Sequence, residues 1–270
     1  MKDHSIGMET TRMTTRAATR LAGVALPAAT LLALVALWYV LVRVYEVPPQ
    51  VVPSPESVVS ELGRLPEYLA RQSWYTLREV WVGFAIAVVI GVGLAVAIAS
   101  STFVDQAISP ILIGFNAIPK IAIGPMLVMW FGFGMQPKIF VVVLLCFFPI
   151  VLSTVAGLRS VPAEMIELAK SLDASKINTF LRVRVPWALP QFFTGLKLAI
   201  SLAFVGAVVG EFIGGGRHGI GYVIVSSKAQ IQTGLAFAGI LLLALMSIAS
   251  YYALVALERA VLPWSRETTS

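Results

Sequence analysis

Cysteine is almost missing from this chain: Cys146 stands alone in the apolar run 141–151, so no intrachain disulfide and no thiolate metal cluster can be built. Histidine is scarce too. His4 and His218 are far apart in sequence, which gives no ligand spacing for zinc. Charge is the next shortage, since Asp, Glu, Lys and Arg make up 13% of the residues, where a soluble domain carries about 25%. No Gly-Lys dipeptide occurs, so the chain has no G-x-x-x-x-G-K-[ST] loop to cradle nucleotide phosphates. The patterns H-E-x-x-H, G-x-S-x-G and C-x-x-C are equally absent, and no paired carboxylates mark a catalytic pocket. The expectation is a chain that is not an enzyme and holds no cofactor of its own.

What is present in excess is apolar surface. Hydrophobic residues reach 58% and the mean hydropathy is +0.85, the composition of a chain whose solvent is mostly lipid. The net charge of +6 could signal nucleic acid, but the basic residues sit in short polar breaks between long apolar runs and form no continuous basic face. Nucleic acid is therefore excluded as a partner, and the bilayer is the expected surrounding. Six stretches approach the roughly 20 apolar residues that a membrane-spanning helix needs. They fall at 21–42, 80–100, 108–133, 139–158, 192–213 and 235–257. The third is interrupted by Pro110, Pro119 and Pro125 and is expected to bend. The first is longer than the h-region of a signal peptide and reads as a retained anchor. The architecture is thus all-α, with a tail over 1–20, a transmembrane domain over 21–258 and a second tail over 259–270.

Lysine and arginine counts orient the chain. Twelve of the twenty fall on the side that holds both termini and the loop 159–190, and seven fall on the other, with Lys120 inside a span. The first side is expected to be cytoplasmic. On the other side, Ser54-Pro55 precedes Val58, Val59, Leu62 and Leu65, a helix-start signal followed by an apolar stripe. The inner loop is the most polar long connection, yet Leu158, Val161, Met165, Leu168, Ala169 and Leu172 recur at helical spacing. Its second piece, 176–185, is expected to end at Pro186, with Pro190 opening the next span. Such an elbow has an apolar face that a partner protein could cover.

Small residues repeat every fourth position at Gly83, Ala87, Gly91, Ala95 and Ala99, and again at Gly206, Gly210 and Gly214. Close helix packing within one subunit is the favoured reading, with a pore-lining or subunit interface as the alternative. Ionisable or polar residues within spans are candidates for the substrate pathway. Glu211 and Lys120 are the charged ones and Asn116 the neutral one. The plainer readings are an anchor for Glu211, either at the outer interface or paired to Arg217, a snorkelling lysine for Lys120, and a bond to a neighbouring helix for Asn116.

At the elbow the sequence resembles a known family. Glu167-Leu168-Ala169-Lys170-Ser171-Leu172-Asp173, followed by Val183-Arg184-Val185-Pro186 and Ala188-Leu189-Pro190, is similar to the EAA loop of ABC importer permeases. Leu168 stands where that pattern has alanine and Asp173 where it has glycine. Pro53-Ser54-Pro55, Ile118-Pro119-Lys120-Ile121-Ala122, Trp130-Phe131-Gly132 and Gly219-Ile220-Gly221-Tyr222 resemble the nitrate, sulfonate and taurine subgroup. The resemblance implies a type I importer permease fold working as a pair of six-helix subunits, here a homodimer. Two copies of an ATP-binding subunit would bind ATP and magnesium in the cytoplasm, and a periplasmic or lipid-anchored solute-binding protein would deliver cargo. It implies that Glu164, Glu167, Leu168, Ala169, Ser171, Leu172, Asp173 and Ala174 form the coupling segment in an inner membrane importer. A small anion is the implied cargo, with a vitamin or a pyrimidine precursor as the alternative. A self-sufficient ion-coupled carrier is the other class to be distinguished.

Overall fold

Helix boundaries in the computed structural model, which describes residues 25–26, 28–214 and 216–263, follow the serine, proline and glycine punctuation of the sequence. Helix α1 covers Ala28–Val44. The rest of the first apolar run, residues 21–24 and 27, and the tails at 1–20 and 264–270 lie outside the described residues. Helix α2, Pro55–Arg64, starts on a Ser54 hydroxyl that accepts from Ser57 N at 3.4 Å, with Pro55 in the first turn. The expected short amphipathic helix is therefore present.

Helix α3, Pro66–Ser100, is 35 residues long. At 1.5 Å per residue it reaches about 52 Å, well beyond a hydrocarbon core of about 30 Å. The apolar run marks only its second part, 80–100. The helix starts earlier because residues 67–79 contain no glycine or proline to stop it. All its charges, Glu67, Arg71, Arg78 and Glu79, fall in that first part, so this is the end that projects past the apolar layer.

Helix α4, Thr102–Ala117, is capped by Ser101. A 3-10 turn at Lys120–Ile123 and helix α5, Gly124–Phe131, follow at 81° to it. The expected bend is thus real, but only Pro119 makes it. Pro110 is carried inside α4, and Pro125 occupies the first turn of α5, where its missing N–H is no loss. Helix α6, Met135–Arg159, leads to α7, Ala163–Ser171, and to the short α8, Lys176–Thr179. A π-turn at Phe180–Arg184 then joins α9, Val185–Ile213. Here the structure departs from the sequence reading: 176–213 runs on as one helix, with no stop at Pro186 or Pro190. The i→i−5 bond of Val185 to Phe180 resets the ladder just before Pro186, whose absent N–H then breaks nothing. Helices α10, Ile220–Ala229, and α11, Thr233–Val261, complete the chain.

Among the described residues every element is helical. Four helices are long and apolar enough to cross a membrane, or five with the bent α4–α5 pair. Helix α6 is the centre of the core, flanked by α3 and α9. Both small-residue stripes serve this packing. Gly83 and Gly91 of α3 face Val142 and Ile150, while Gly206 and Gly210 of α9 face Val142 and Lys138. A Cβ on Gly206 would lie 2.9 Å from the Val142 Cα, and backbone cannot swing aside as a side-chain tip can. Gly206→Ala is expected to cost roughly 1–3 kcal/mol of stability, read as a lower thermal midpoint of the purified protein. Gly93→Ala, whose added Cβ meets nothing within 4 Å, is the control that keeps the midpoint.

Candidate functional site

Alternating chain direction gathers residues 66–79, 135–138 and 210–222 at one end of the bundle and the 159–190 elbow at the other.

At the elbow, α7 has Glu164 in its first turn and Lys170 in its last, each favourable to the helix dipole. It stops in a Schellman motif: Ala174 N donates to Ala169 O at 3.0 Å and Asp173 N donates to Lys170 O at 3.0 Å. Asp173 is the left-handed residue of that motif, with φ of 57°. It thus takes the conformation that the glycine of the family pattern takes freely. Asp173→Gly is expected to be neutral or mildly stabilising, and Asp173→Val to lose roughly 1–2 kcal/mol, as a thermal-melt comparison of the two variants would show. Ser171 turns its hydroxyl back onto Leu168 O, and Ser175 caps α8 through Asn178 N. Ala169 is buried against the body of the protein. Glu164, Glu167, Leu168 and Leu172 are exposed, Leu168 at 55% and Leu172 at 73%. Met165, Ile177 and Leu181 are exposed as well. Immediately before the elbow, Arg159 reaches Asp105 of α4 at 2.8 Å, and Asp105 also accepts from Ser109 at 2.6 Å. The bridge ties the start of the bent span to the end of α6.

At the opposite end, five polar side chains are almost wholly buried: Gln72, Thr76, Glu79, Lys138 and Glu211. Lys138 Nζ donates to Glu79 Oε1 at 2.9 Å and to the His218 carbonyl at 3.1 Å. Thr76 Oγ1 donates to Glu211 Oε1 at 2.6 Å and accepts from Ile220 N at 2.8 Å. Gln72 Oε1 accepts from Gly219 N at 2.7 Å, and Gly221 N donates to Glu211 Oε2. The two carboxyl groups also hydrogen-bond each other; Lys138 faces both of them, and the N-terminus of α10 adds its donors to Glu211. Gly219 sits at φ of 105°, and a Cβ on it or on Gly221 would run into the Glu211 carboxylate. The Gly219-Ile220-Gly221 sequence is thus what lets α10 close on a buried acid.

The model of the family described as binding-protein-dependent transport system inner membrane component matches residues 87–263, well over half of the chain. The chain belongs to that family. This permease is 36% identical over 221 residues to a probable ABC transporter permease protein of Haemophilus influenzae, covering 82% of this chain and 90% of the relative. It is 36% identical over 220 residues to the formylaminopyrimidine transport permease protein ThiX of Halalkalibacterium halodurans, covering 81% and 88%. Against the taurine transport system permease protein TauC of Escherichia coli the identity is 29% over 251 residues, covering 90% and 91%. In fold it is similar to a chain of the MetNI methionine ABC transporter in an inward-facing conformation, with a TM-score of 0.62, 20% identity and coverage of 72% and 96%. It is a multi-pass transmembrane permease subunit of an ABC importer, with the type I importer fold.

The residues singled out in the sequence fall into three groups. The elbow residues stand together, as above. Asn116 and Lys120 meet at the 81° bend, Lys120 Nζ donating to Asn116 Oδ1 at 2.8 Å and lying 5.5 Å from the Phe148 ring centre. Glu211 is elsewhere. It joins the network around Lys138, ten residues before Phe148 on α6, a helical rise of about 15 Å. Glu211 has no ion pair with Arg217. Sequence reasoning did not single out Glu79, Lys138, Gln72 or Thr76. The available signal was a carboxylate and a lysine, each at the start of an apolar run, on two spans that run in the same direction.

Proposed function

We propose that this permease forms, with a second copy of itself, the pathway for a small anion of the nitrate, sulfonate or taurine kind. Cargo arrives from a solute-binding protein on the side of residues 66–79. Two copies of an ATP-binding subunit, which bind and hydrolyse ATP with magnesium, dock on α7 at the other side. That side is cytoplasmic and holds both chain termini. The observation that carries the reading is the rigidly capped α7 with an uncovered face of Met165, Leu168 and Leu172 in a chain of this family. Closure of the ATP-binding pair pushes α7, and the continuous helix 176–213 and the Asp105–Arg159 bridge pass the motion to the spans. Asn116 and Lys120 at the bend, and Glu211 at the far end, are the polar groups along the route.

A flat heteroaromatic cargo is the second reading, favoured by the higher identity to the formylaminopyrimidine permease than to the taurine permease. Thermal-shift screening of the cognate solute-binding protein separates the two. Co-purification with the ATP-binding subunit and cargo-stimulated ATP hydrolysis are expected. Uptake by this chain alone, without nucleotide, would instead make it an ion-coupled carrier.

A further inference from the structure

Beyond the buried network, at the end of α3 that projects past the apolar layer, lies an open cavity of about 380 Å³. Arg71, Arg217, His218, Tyr68, Tyr75 and Tyr222 line it, and the buried Gln72 forms part of its floor. Its size is that of a small-ligand site. We propose that this cavity binds a small oxyanion, a carboxylate or sulfonate carried on a flat body.

Charge is the first ground. Two guanidinium groups share one concavity, and neither is ion-paired with a carboxylate among the described residues. Cations converging without neutralisation focus a field that favours an anion, and the planar guanidinium fork matches two oxygens of a carboxylate or sulfonate. Shape is the second ground. His218 stacks on Tyr75, with ring centres 4.4 Å apart and planes inclined by 24°, and two further phenols stand beside them. Flat rings accept a flat partner, and phenol hydroxyls donate to oxyanions. The third ground is that the wall is fixed before any ligand arrives. Lys138 holds the His218 carbonyl, and Gln72 holds Gly219 N, so the loop bearing Arg217 and His218 is pinned from beneath by buried groups. Such a site either takes free anionic cargo at the entrance or grips a carboxylate side chain of the delivering protein. The chemistry is shared; both roles rest on the transport reading, whereas the binding of the anion itself does not.

The test uses the permease assembled with its ATP-binding subunit in nanodiscs and titrates benzenesulfonate, with neutral benzenesulfonamide in parallel, by calorimetry. Saturable benzenesulfonate binding is expected, with benzenesulfonamide and the Arg71→Gln and Arg217→Gln variants each weaker by about tenfold or more, as loss of a charge-assisted hydrogen bond implies. Both arginines are exposed, so the thermal midpoint of each variant stays at the wild-type value. In a second arm, cargo-free solute-binding protein is titrated onto the same nanodiscs. Docking weakened about tenfold by the double variant identifies a carboxylate side chain as the natural occupant, and unchanged docking beside anion binding identifies free anion. Absence of saturable anion binding together with unchanged docking overturns the site, as does binding that survives the double variant. ATP-driven uptake by the wild-type complex is measured on the same preparation. Its persistence without anion binding removes only this site, whereas its absence with binding intact removes only the transport reading.

Discussion

Lys138→Met is expected to lower the stability of this permease by about 3–5 kcal/mol, because it leaves a buried carboxylate without its counter-charge. The Lys138 and Glu79 side chains are 3% and 4% exposed and 2.9 Å apart. Water cannot take over the role of the lysine at that depth, so Glu79 must then stay charged and unpaired or change its protonation. The His218 carbonyl loses its donor in the same step, which loosens the loop between α9 and α10. Methionine fills the volume of lysine closely, so packing loss is a minor part of the effect. The double variant Lys138→Met/Glu79→Gln removes both charges and is expected to recover much of the loss, since a buried pair replaced as a unit is often near neutral. Thermal melts of wild type, both singles and the double in one detergent form the cycle. A Lys138→Met midpoint equal to wild type would mean that the pair holds nothing together.

The same network marks the boundary of what the sequence makes legible. Local punctuation could be read directly: Ser54-Pro55 starts α2, and Pro119 breaks the third apolar stretch. Apolar run length located the long helices. What escaped was set by tertiary contact. Residues 66–79 look like an ordinary polar loop because a hydropathy window averages Gln72, Thr76 and Glu79 as if they faced water. They are tolerated inside a helix end because Lys138 and the start of α10 lie opposite, partners 59 and more positions away. Proline misled in the other direction. Pro186 carries the local signature of a stop and Pro190 that of a start, yet a π-turn upstream and the first-turn position of Pro186 absorb its lost bond, and Pro190 is carried inside α9. Asp173 shows the converse, a residue departing from the family pattern that nonetheless adopts the glycine-like backbone angle. Composition reports what a segment prefers alone, and these residues are placed by what they meet.

Leu168→Asp and Glu167→Lys are expected to abolish most transport while leaving the folded permease unchanged. Leu168 is 55% exposed and Glu167 is exposed as well, so neither supports the core of its own subunit. Substitutions at such positions shift stability by only about 0.5 kcal/mol or less, which predicts wild-type thermal midpoints. Their effect is expected where α7 meets another protein. A leucine anchoring an interface contributes about 2 kcal/mol or more when it is central, and a buried aspartate in its place adds an unpaired charge. Uptake is therefore expected to fall by at least about thirtyfold, as 2 kcal/mol implies, along with loss of cargo-stimulated ATP hydrolysis and of co-purification with the ATP-binding subunit. Ala169→Asp is the less informative change, because Ala169 is buried and the variant would damage the elbow itself. The neighbouring Asp173→Gly provides the contrast: it sits in the same turn, keeps the same backbone conformation and should retain full uptake. Normal uptake by Leu168→Asp and Glu167→Lys together would mean that force reaches the spans by a route other than α7. The Arg159–Asp105 bridge, one turn before α7, would then be the next contact to cut.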